Sequence, residues 1–380
     1  MKSTLSTKSP LALSGLCSFA GGRVSVADLD ADTYISTENM LPDKGGITRS
    51  AGLPSAPQAQ AYQAEDVLVS NIRPYFRKIW LADRNGGCSN DVLVLRAHEG
   101  IHPGFLYYLL SDDSFFEYAA ATAKGTKMPR GDKGAIMRYG VPDLPFSVQS
   151  NIADTLSAFD ARIAENRKIN HHLEEAAKAV FKSWFVDFEP FGDGDFVDSE
   201  LGKIPAGWRV GLLSELITVK YGKDHKKLAD GSIPVFGSGG VMRYVDTALY
   251  KNESTLIPRK GTLNNVIYVN QPFWSVDTMF YSEMNRPNLG KYVYFLVRSK
   301  DLASMNAGSA VPSMTTEILN ALPVVIPPDS ELVRFEEVVG VQFNQIQANQ
   351  AENDNLTTLR DTLLPRLMSG ELSVKNISSD

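Results

Sequence analysis

Three short motifs in this 380-residue sequence contain the residue types used by enzymes that modify or cut nucleic acids. FGSGG at 236–240 places its glycines differently from the F-x-G-x-G loop that binds adenosylmethionine. VIPPDS at 325–330 lacks both residues that flank Pro-Pro in the D/N-P-P-Y/F motif of amino-group methylation. Asp224-His225-Lys226 matches the D/E-x-K triplet of nucleases only loosely. The motifs therefore predict neither methyl transfer nor DNA cleavage by this chain.

The sequence also gives no sign of ATP hydrolysis or of a metal site. It contains no G-x-x-x-x-G-K-S/T phosphate loop. His171 and His172 are neighbours in a predicted helix, about 100° apart, so they do not share a ligand face. His98 and His102 have the i, i+4 spacing, but HEGIHPG contains Gly and Pro and predicts a turn. We therefore predict that the chain binds no metal.

The bulk composition is that of a soluble globular protein, with 43% hydrophobic and 22% charged residues, and the length predicts two or more domains. No stretch approaches the roughly 18 apolar residues of a membrane span, and the Ser-rich start does not resemble a signal peptide. We therefore expect no membrane association and a cytoplasmic location. Cys17 and Cys88 have no nearby His partner, which predicts buried or idle thiols.

Two basic loops stand out against the net charge of −6, at 124–138 and 220–227. In the predicted flexible glycine loops SGGVMRYVDTALY, RKGTLNN and KGTKMPRGDKG, the Lys, Arg, Asn, Ser and Thr side chains are suited to contact phosphates and base edges. Glycine permits close approach of the backbone. The alternative is that such loops are solvated turns. The predicted DNA-contact residues are Arg73, Arg77, Lys78, Lys124, Thr126, Lys127, Arg130, Lys133, Lys220, Tyr221, Lys223, Lys226, Lys227, Ser238, Arg243, Arg259, Lys260, Asn264 and Asn265.

The chain repeats itself at a spacing of about 183 residues. Residues 151–185 align with 334–368, and both copies carry a heptad seam that predicts a long helix. Asparagines interrupt the apolar seam at matching places, Asn166 with Asn349 and Asn170 with Asn353. We predict that these amides bond to each other and fix the register; the alternative is that they face solvent.

The segments before each helix match more loosely but in the same order. SNDVLVL at 89 is similar to SVDTMFY at 275, FLYYLL at 105 to YVYFLV at 292, and GTKMP at 125 to GSAVP at 308. Short β-rich runs such as DVLVSNI, KIWLAD, STLIPRK and NNVIYVN predict strands, and FLYYLLSDDSFFEYAAATAKG and KYVYFLVRSKDLASMNAG predict one helix each. GDGDFVDSELGKIPAGW at 192–208 is predicted to be a linker.

LEEAAKAVFKSWFVDFEPF at 173–191, LTTLRDTLLPRLMSGEL at 356–372 and YISTENMLPDKGG at 34–46 resemble the specificity subunit of type I restriction-modification systems. The resemblance covers essentially the whole chain. It implies an α+β fold with two pseudo-repeated mixed α/β target recognition domains, each followed by a long helix, the two helices packing as an antiparallel coiled coil. The implied divisions are target recognition domain 1 at 1–150, central spacer helix at 151–190, linker and target recognition domain 2 at 191–330, distal spacer helix at 331–370 and tail at 371–380.

The resemblance also implies a non-catalytic subunit that binds double-stranded DNA at an asymmetric bipartite target. It implies as partners methyltransferase (modification) subunits acting on adenine N6 and restriction/translocase subunits; S-adenosylmethionine, ATP and Mg are expected there, with no cofactor in this chain. Phe181, Trp184 and Phe185 are predicted to grip the neighbouring domain or to dock a partner. The short lead-in before the first domain departs from the family pattern, which suggests a trimmed first domain or a start upstream. The alternatives are a stand-alone DNA-binding protein and a protein scaffold.

Overall fold

The computed structural model describes residues 11–306, 308 and 312–372. These residues form two compact units, 11–166 with 350–372 and 167–349. The divisions predicted from the sequence follow the ends of the long helices, whereas the compact units divide within both helices. Most of the predicted tail, 371–380, and most of GSAVP lie outside the described residues.

The first unit contains ten short strands, nine of them before its first α-helix, as expected from β-rich runs bounded by Gly, Pro, Asn and Asp. The strands are β1 Leu11–Ala12, β2 Cys17–Phe19, β3 Arg23–Ser25, β4 Tyr34–Ile35, β5 Gln58–Tyr62, β6 Val67–Ser70, β7 Ile79–Leu81, β8 Gly86–Cys88, β9 Val92–Ala97 and β10 Gly140–Val141. The helices are α1 Pro103–Ser111, α2 Asp113–Ala121, α3 Lys133–Ile136 and α4 Phe146–Phe185, of which the first unit holds the part up to Asn166.

Two four-stranded sheets organise this unit. The sheet β2-β9-β6-β7 is antiparallel throughout, while β3-β5-β8-β4 includes one parallel pair, β4 with β8. β1 pairs with β10 and so joins the start of the globular part to the segment before α4. The core lies between the first sheet, helices α1 and α2, and the helix residues Ile152, Leu156, Leu364 and Leu367.

FLYYLLSDDSFFEYAAATAKG does not form the single helix predicted for it. The helix breaks at Asp112, which has extended backbone and accepts a hydrogen bond of 2.9 Å from the Ser114 amide. Aspartate at this position caps the second helix, and this local bond competes with continuation of the first. The turn predicted for HEGIHPG is confirmed, with Gly100 at φ +82° and the His102 ring capping α1.

The second unit has the same mixture of short strands and helices. Its strands are β11 Phe196–Ser199, β12 Gly202–Pro205, β13 Arg209–Leu212, β14 Ile217–Tyr221, β15 Asp230–Gly237, β16 Gly240–Val245, β17 Ser254–Pro258, β18 Ile267–Val269, β19 Trp274–Ser275, β20 Met279–Met284 and β21 Pro323–Ile326. Its helices are α5 Leu213–Leu216, α6 Gly290–Arg298, α7 Thr316–Asn320 and α8 Asp329–Met368, of which this unit holds the part up to Asn349.

The sheets of the second unit are β14-β20-β17-β18, which is antiparallel, and β16-β15-β19, in which β15 and β19 are parallel. β13 pairs with β21. The segment predicted as a linker contains a two-stranded hairpin, because β11 pairs with β12 around Gly202, whose φ is +97°. The helix predicted for KYVYFLVRSKDLASMNAG ends at Arg298, and residues 299–306 are not helical.

Both long helices predicted from the heptad seam are confirmed, and each has 40 residues. Each begins five residues before its aligned repeat, at Phe146 and Asp329. Pro365 lies in the last turn of α8. The architecture is therefore α+β, with mixed sheets and long helices. None of the helices among the described residues is long and apolar enough to cross a membrane.

Candidate nucleic-acid interface

Of the first basic loop, predicted at 124–138, residues 124–130 form a small closed loop, whereas residues 133–136 form the short helix α3. The name first basic loop is kept for residues 124–130. Its ends are held together by the Lys124 amide to the Arg130 carbonyl at 2.8 Å and by the reverse bond at 2.9 Å. Thr126, Lys127 and Met128 between them are exposed. The Lys124 ammonium pairs with Asp132 and lowers the pKa of that carboxyl to about 2. The loop therefore presents one lysine at its tip, while a second is neutralised at its base.

A turn at the end of β6, residues 73–77, lies beside this loop. The Arg73 amide donates to the Pro129 carbonyl at 2.8 Å, and the Gly131 amide donates to the Asn71 carbonyl at 3.0 Å. These bonds bring Arg73 together with the predicted contact residues of the first basic loop. Arg130 also forms an ion pair with Asp91 at 2.9 Å. One group of candidates is thus assembled on the first unit.

Three other candidates of the first unit have structural contacts of their own. The Arg77 guanidinium binds Asp43, with Nε at 3.0 Å from Oδ1, and also reaches Asp113. The Lys78 ammonium donates to the Thr37 carbonyl at 2.7 Å, and burial lowers the pKa of Lys78. Lys133 lies over the ring of Phe19 at 5.5 Å, away from the loop tip. Their predicted contacts with DNA stay predictions.

In the second unit, a comparable group surrounds the end of β17. The Arg259 guanidinium lies over the Tyr221 ring at 5.3 Å. The Asn265 side-chain amide donates to the Ser238 carbonyl at 2.7 Å, which ties the segment after β17 to the β15–β16 turn. Lys260 pairs with Ser313 in an isolated β-bridge. The structure therefore brings these five candidates from three separate segments together.

The remaining candidates of the second unit lie around this group or apart from it. Lys223 is exposed, and its carbonyl accepts a 2.8 Å bond from the Trp274 indole. Lys220 lies 3.7 Å from Glu283, and Asn264 donates to Asp301 at 3.2 Å. Lys226 and Lys227 are exposed in the loop before β15.

One predicted flexible loop is wrong in part. SGGVMRYVDTALY includes β16, Gly240–Val245, which is paired with β15, and only its ends are turns. The Arg243 guanidinium in this strand binds Asp230 at 2.6 Å. The run of Val, Met, Tyr and Val around Arg243, which is rich in strand-forming residues, was the signal that could have predicted this strand.

The same hydrogen bonds recur in the two units at the ends of β6 and β17. The Arg73 amide binds the Pro129 carbonyl, and the Gly261 amide binds the Pro312 carbonyl at 3.3 Å. Lys78 donates to the Thr37 carbonyl at 2.7 Å, as Asn265 does to the Ser238 carbonyl. A further matched pair comprises Gly131 to Asn71 at 3.0 Å and Met314 to Arg259 at 2.9 Å. Similar backbone frames therefore carry different side chains in the two units.

The predicted seam asparagines form inter-helix hydrogen bonds within each unit. In the first unit, the buried Asn166 amide donates to Asn353 Oδ1 at 3.0 Å and to Glu352 Oε2 at 2.8 Å. Arg162 also binds Glu352, through two bonds of 2.9 Å. Hydrogen bonds from Arg162 and Asn166 hold the pKa of Glu352 below its usual range.

In the second unit, the buried Asn349 amide donates to Asn170 Oδ1 at 2.7 Å. Gln345 in turn donates to Asn349 Oδ1 at 2.7 Å, so both ends of the buried amide are bonded. The role predicted for these residues, fixing the register of the helices, stays a prediction.

The aromatic residues at the end of α4 belong to the core of the second unit. Phe185 is buried, with ring centroids 4.7 Å from Tyr292 and 4.9 Å from Phe335. Phe181 is also buried in this cluster. Trp184 is half-buried, and the Arg334 guanidinium lies over its ring at 5.2 Å. Partner docking by these residues stays a prediction.

Sequence reasoning did not single out several exposed apolar side chains near the candidate groups. Tyr75 and Phe76 are exposed in the turn 73–77, and Met128 is exposed in the first basic loop. Val241 and Met242 are exposed at the β15–β16 turn. A short apolar segment inside a basic stretch, as in RPYFRK, was the available signal, but it does not reveal exposure.

The cysteines and acidic residues offer no second site. Cys17 and Cys88 are buried as predicted, and burial raises the pKa of each thiol to about 12. No group of three or more His, Cys, Asp or Glu side chains within the described part of the chain is arranged to hold a metal ion.

Comparison with known proteins finds similarity to one family. Residues 205–356 match the family described as "Type I restriction modification DNA specificity domain". The chain is 28% identical over 307 residues to the type I restriction enzyme MjaIX specificity subunit of Methanocaldococcus jannaschii, covering 73% of this chain and 71% of that protein. It is 24% identical to the HindI specificity subunit of Haemophilus influenzae, covering 89% and 94% of the two chains.

A solved structure shows the same fold. The crystal structure of the type I restriction-modification system S subunit from M. genitalium has a TM-score of 0.54 with this chain at 18% identity, covering 97% of this chain and 98% of that one. The resemblance predicted from the helix ends and from YISTENMLPDKGG is thus confirmed. Over most of its length, the chain is therefore similar to specificity subunits of type I restriction-modification systems.

Proposed function

We propose that each of the two units of this chain reads one half of a split, asymmetric DNA target. The observation that carries this proposal is the pair of matched frames at the ends of β6 and β17, which hold different side chains in the same way. Two similar frames suit two similar docking positions on a duplex, and different side chains suit different base sequences.

The order of the strands supports a pseudo-repeat of the two units. In the sheets β2-β9-β6-β7 and β14-β20-β17-β18, the first strand pairs with the last strand in chain order, followed by the two middle strands. The pairs β1–β10 and β13–β21 occupy corresponding places before α4 and α8. Duplication of one recognition unit would generate both features.

We further propose that α4 and α8 act as an antiparallel coiled-coil spacer. The contacts of Asp160 with Arg360 and Asn166 with Asn353, within the first unit, run in opposite directions along the two helices. Those of Asn170 with Asn349 and Phe181 with Phe335, within the second, do the same. A helix of 40 residues is about 60 Å long, between one and two turns of B-DNA. Helix length would therefore set the separation of the half-sites.

In this proposal the chain itself contributes recognition, in the cytoplasm, and its partners contribute chemistry. Modification subunits would bring S-adenosylmethionine and methylate adenine N6, and restriction subunits would bring ATP and Mg. The relatives are specificity subunits by name, which favours this division over a stand-alone DNA-binding protein or a scaffold.

The test is a map of methylated adenines across the genome of cells that express this chain with its modification partner. We expect one motif with two different specified halves, separated by a fixed number of unspecified base pairs. A map without a bipartite methylated motif would refute the proposal. Specific binding of one DNA site by a stable monomer, with no effect of the modification partner, would refute the recruitment part.

A further inference from the structure

The turn 73–77 displays an exposed aromatic pair, Tyr75 and Phe76. The exposed fraction is 53% for Tyr75 and 38% for Phe76, and their ring centroids are 4.8 Å apart. The buried aromatic residues of this unit, such as Phe105 and Phe115, lie in its core. Two adjacent exposed rings are an apolar surface of the kind that marks an interaction site.

The backbone around this pair is strained. Arg73 and Arg77, on either side of the short 3₁₀ turn Pro74–Phe76, both have φ +50°. Asp43 and Lys44, which contact the turn, have φ +53° and +61°. Of the seven non-glycine residues with left-handed backbone in the described chain, four are therefore gathered here. Strain of this kind persists only where surrounding contacts impose it, and it concentrates at functional sites.

Contacts from Asp43 and Lys44 impose this backbone conformation on the turn. The Asp43 amide donates to the Phe76 carbonyl and the Lys44 amide to the Arg77 carbonyl, each at 2.9 Å. The Arg77 guanidinium binds the Asp43 carboxylate, and Lys44 binds Asp113 at 2.9 Å. Asp43 and Lys44 belong to YISTENMLPDKGG, so this segment fixes the conformation of the turn. A braced turn loses little conformational freedom when it binds.

Positive charge lies beside the aromatic pair. The Arg73 amide is bonded to Pro129 in the first basic loop, which exposes Lys127 and Thr126. Lys78 Nζ lies 5.8 Å from the centre of the Phe76 ring. Cations beside an apolar centre match a DNA groove, where phosphates lie at the edges and base edges lie between them.

The second unit shows that the frame does not require aromatic residues. Its corresponding segment after β17 contains Thr262 and Leu263, and Leu263 is buried. The exposed pair Tyr75 and Phe76 is thus specific to the first unit. The hydrogen bond from Arg73 to Pro129 beside it nevertheless recurs in the second unit, from Gly261 to Pro312. A difference in side chains on a common frame is what two half-sites of different sequence demand.

We infer that Tyr75 and Phe76 read the first unit's half-site by contacting the 5-methyl groups of thymines in the major groove. Contact between an apolar side chain and this methyl group is the one base-edge contact that needs no hydrogen bond. The inference rests on the proposed function, and it names the residues and the base feature that the proposal leaves open.

The experiment uses the complex of the full chain with its modification partner, and DNA carrying the target read from the methylation map. Each thymine of the two half-sites is replaced in turn by deoxyuridine, which lacks only the methyl group. We expect one or two positions, all in one half-site, at which replacement weakens binding by about fivefold or more. In the Tyr75→Ala/Phe76→Ala variant, replacement at those positions should have no further effect.

The matched control is Phe146→Ala, because Phe146 is also 53% exposed but lies at the start of α4. It should leave the uracil sensitivity unchanged. The inference would be overturned if replacing thymine by uracil left binding unchanged, or if the first unit's half-site contained no thymine. It would also be overturned if the double variant kept the sensitivity to uracil. The measurement on the unchanged protein needs no variant, so a folding defect leaves it decisive. A missing bipartite motif would instead refute the proposed function itself.

Discussion

The Asn349 side-chain amide donates a 2.7 Å hydrogen bond to Asn170 Oδ1, and this bond joins α8 to α4 inside the second unit. Asn349 is only 4% exposed. A buried amide that lacks its partner retains the full cost of its desolvation. The consequences of removing one or both partners are therefore different, and they can be measured.

Asn349→Leu should lower the free energy of unfolding by about 1–3 kcal/mol, because it leaves the partly buried side-chain oxygen of Asn170 without its partner. The double variant Asn170→Leu/Asn349→Leu should recover part of this loss. Denaturant unfolding of the wild type, the two single variants and the double variant gives the coupling energy between Asn170 and Asn349. Asn344→Leu, at an exposed position of the same helix, is the control. A loss no greater than in this control would contradict the prediction.

Glu352→Gln should destabilise the first unit at neutral pH but not in acid. Hydrogen bonds from Arg162 and Asn166 lower the pKa of Glu352, so its stabilising effect is complete above the unfolded pKa of about 4.3 and disappears as the pH falls through the lower folded pKa. The difference in melting temperature between the wild type and the variant should therefore shrink from pH 7 to pH 3. Glu337→Gln, exposed on the same helix, should show no such trend. A difference in melting temperature that does not change with pH would contradict the stabilising role of the ionised Glu352 carboxylate.

Phe185→Ala should lower the unfolding free energy of the isolated chain by about 3–5 kcal/mol, because it removes a buried ring packed against Tyr292 and Phe335. Trp184→Ala should have a smaller effect, since Trp184 is only half-buried. Val186→Ala, at a position 51% exposed, serves as the control. If Phe185→Ala spared the chain but weakened assembly with the modification partner, partner docking would be the role of this ring.

Lys127→Ala should weaken DNA binding about equally for all sequences, since an exposed lysine at a loop tip is suited to phosphate. The slope of log K against log salt concentration should become shallower by about 1. Titrations at several salt concentrations test this. Lys168→Ala, an exposed lysine on α4, is the comparison. A change in sequence preference without a change in slope would instead assign Lys127 to a base edge.

The long helices and many strands follow from the sequence because their patterns are local. The heptad seam around Asn166 and Asn349 predicted both helices, and β-branched runs predicted strands such as β6 and β17. The break at Asp112 was missed because one side-chain cap outweighs a favourable helical pattern. Helix periodicity says nothing about such a local competition.

The candidate interface could be predicted only in part. Basic residues in glycine loops pointed to Lys127 and Arg259, but the engagement of Lys78 with Thr37 depends on a contact across 41 residues. The exposure of Tyr75 depends on Asp43 and Lys44, which lie some 30 residues earlier. Contacts of this range are set by the tertiary fold, so no local pattern reveals them.

The first unit is built from two separate segments of the chain, so the part that is synthesised first cannot complete its fold first. Its core includes Leu364, Leu367 and Met368, which reach the ribosome exit only after almost the whole chain has been translated. The second unit, 167–349, is continuous and can close earlier. At about 5–20 residues per second, the roughly 200 residues from Asn166 to Leu364 take about 10–40 s to translate, and the earlier N-terminal residues wait longer still for their final partners. The part of the protein made first is thus the part finished last, and it depends most on protection from aggregation while the ribosome works.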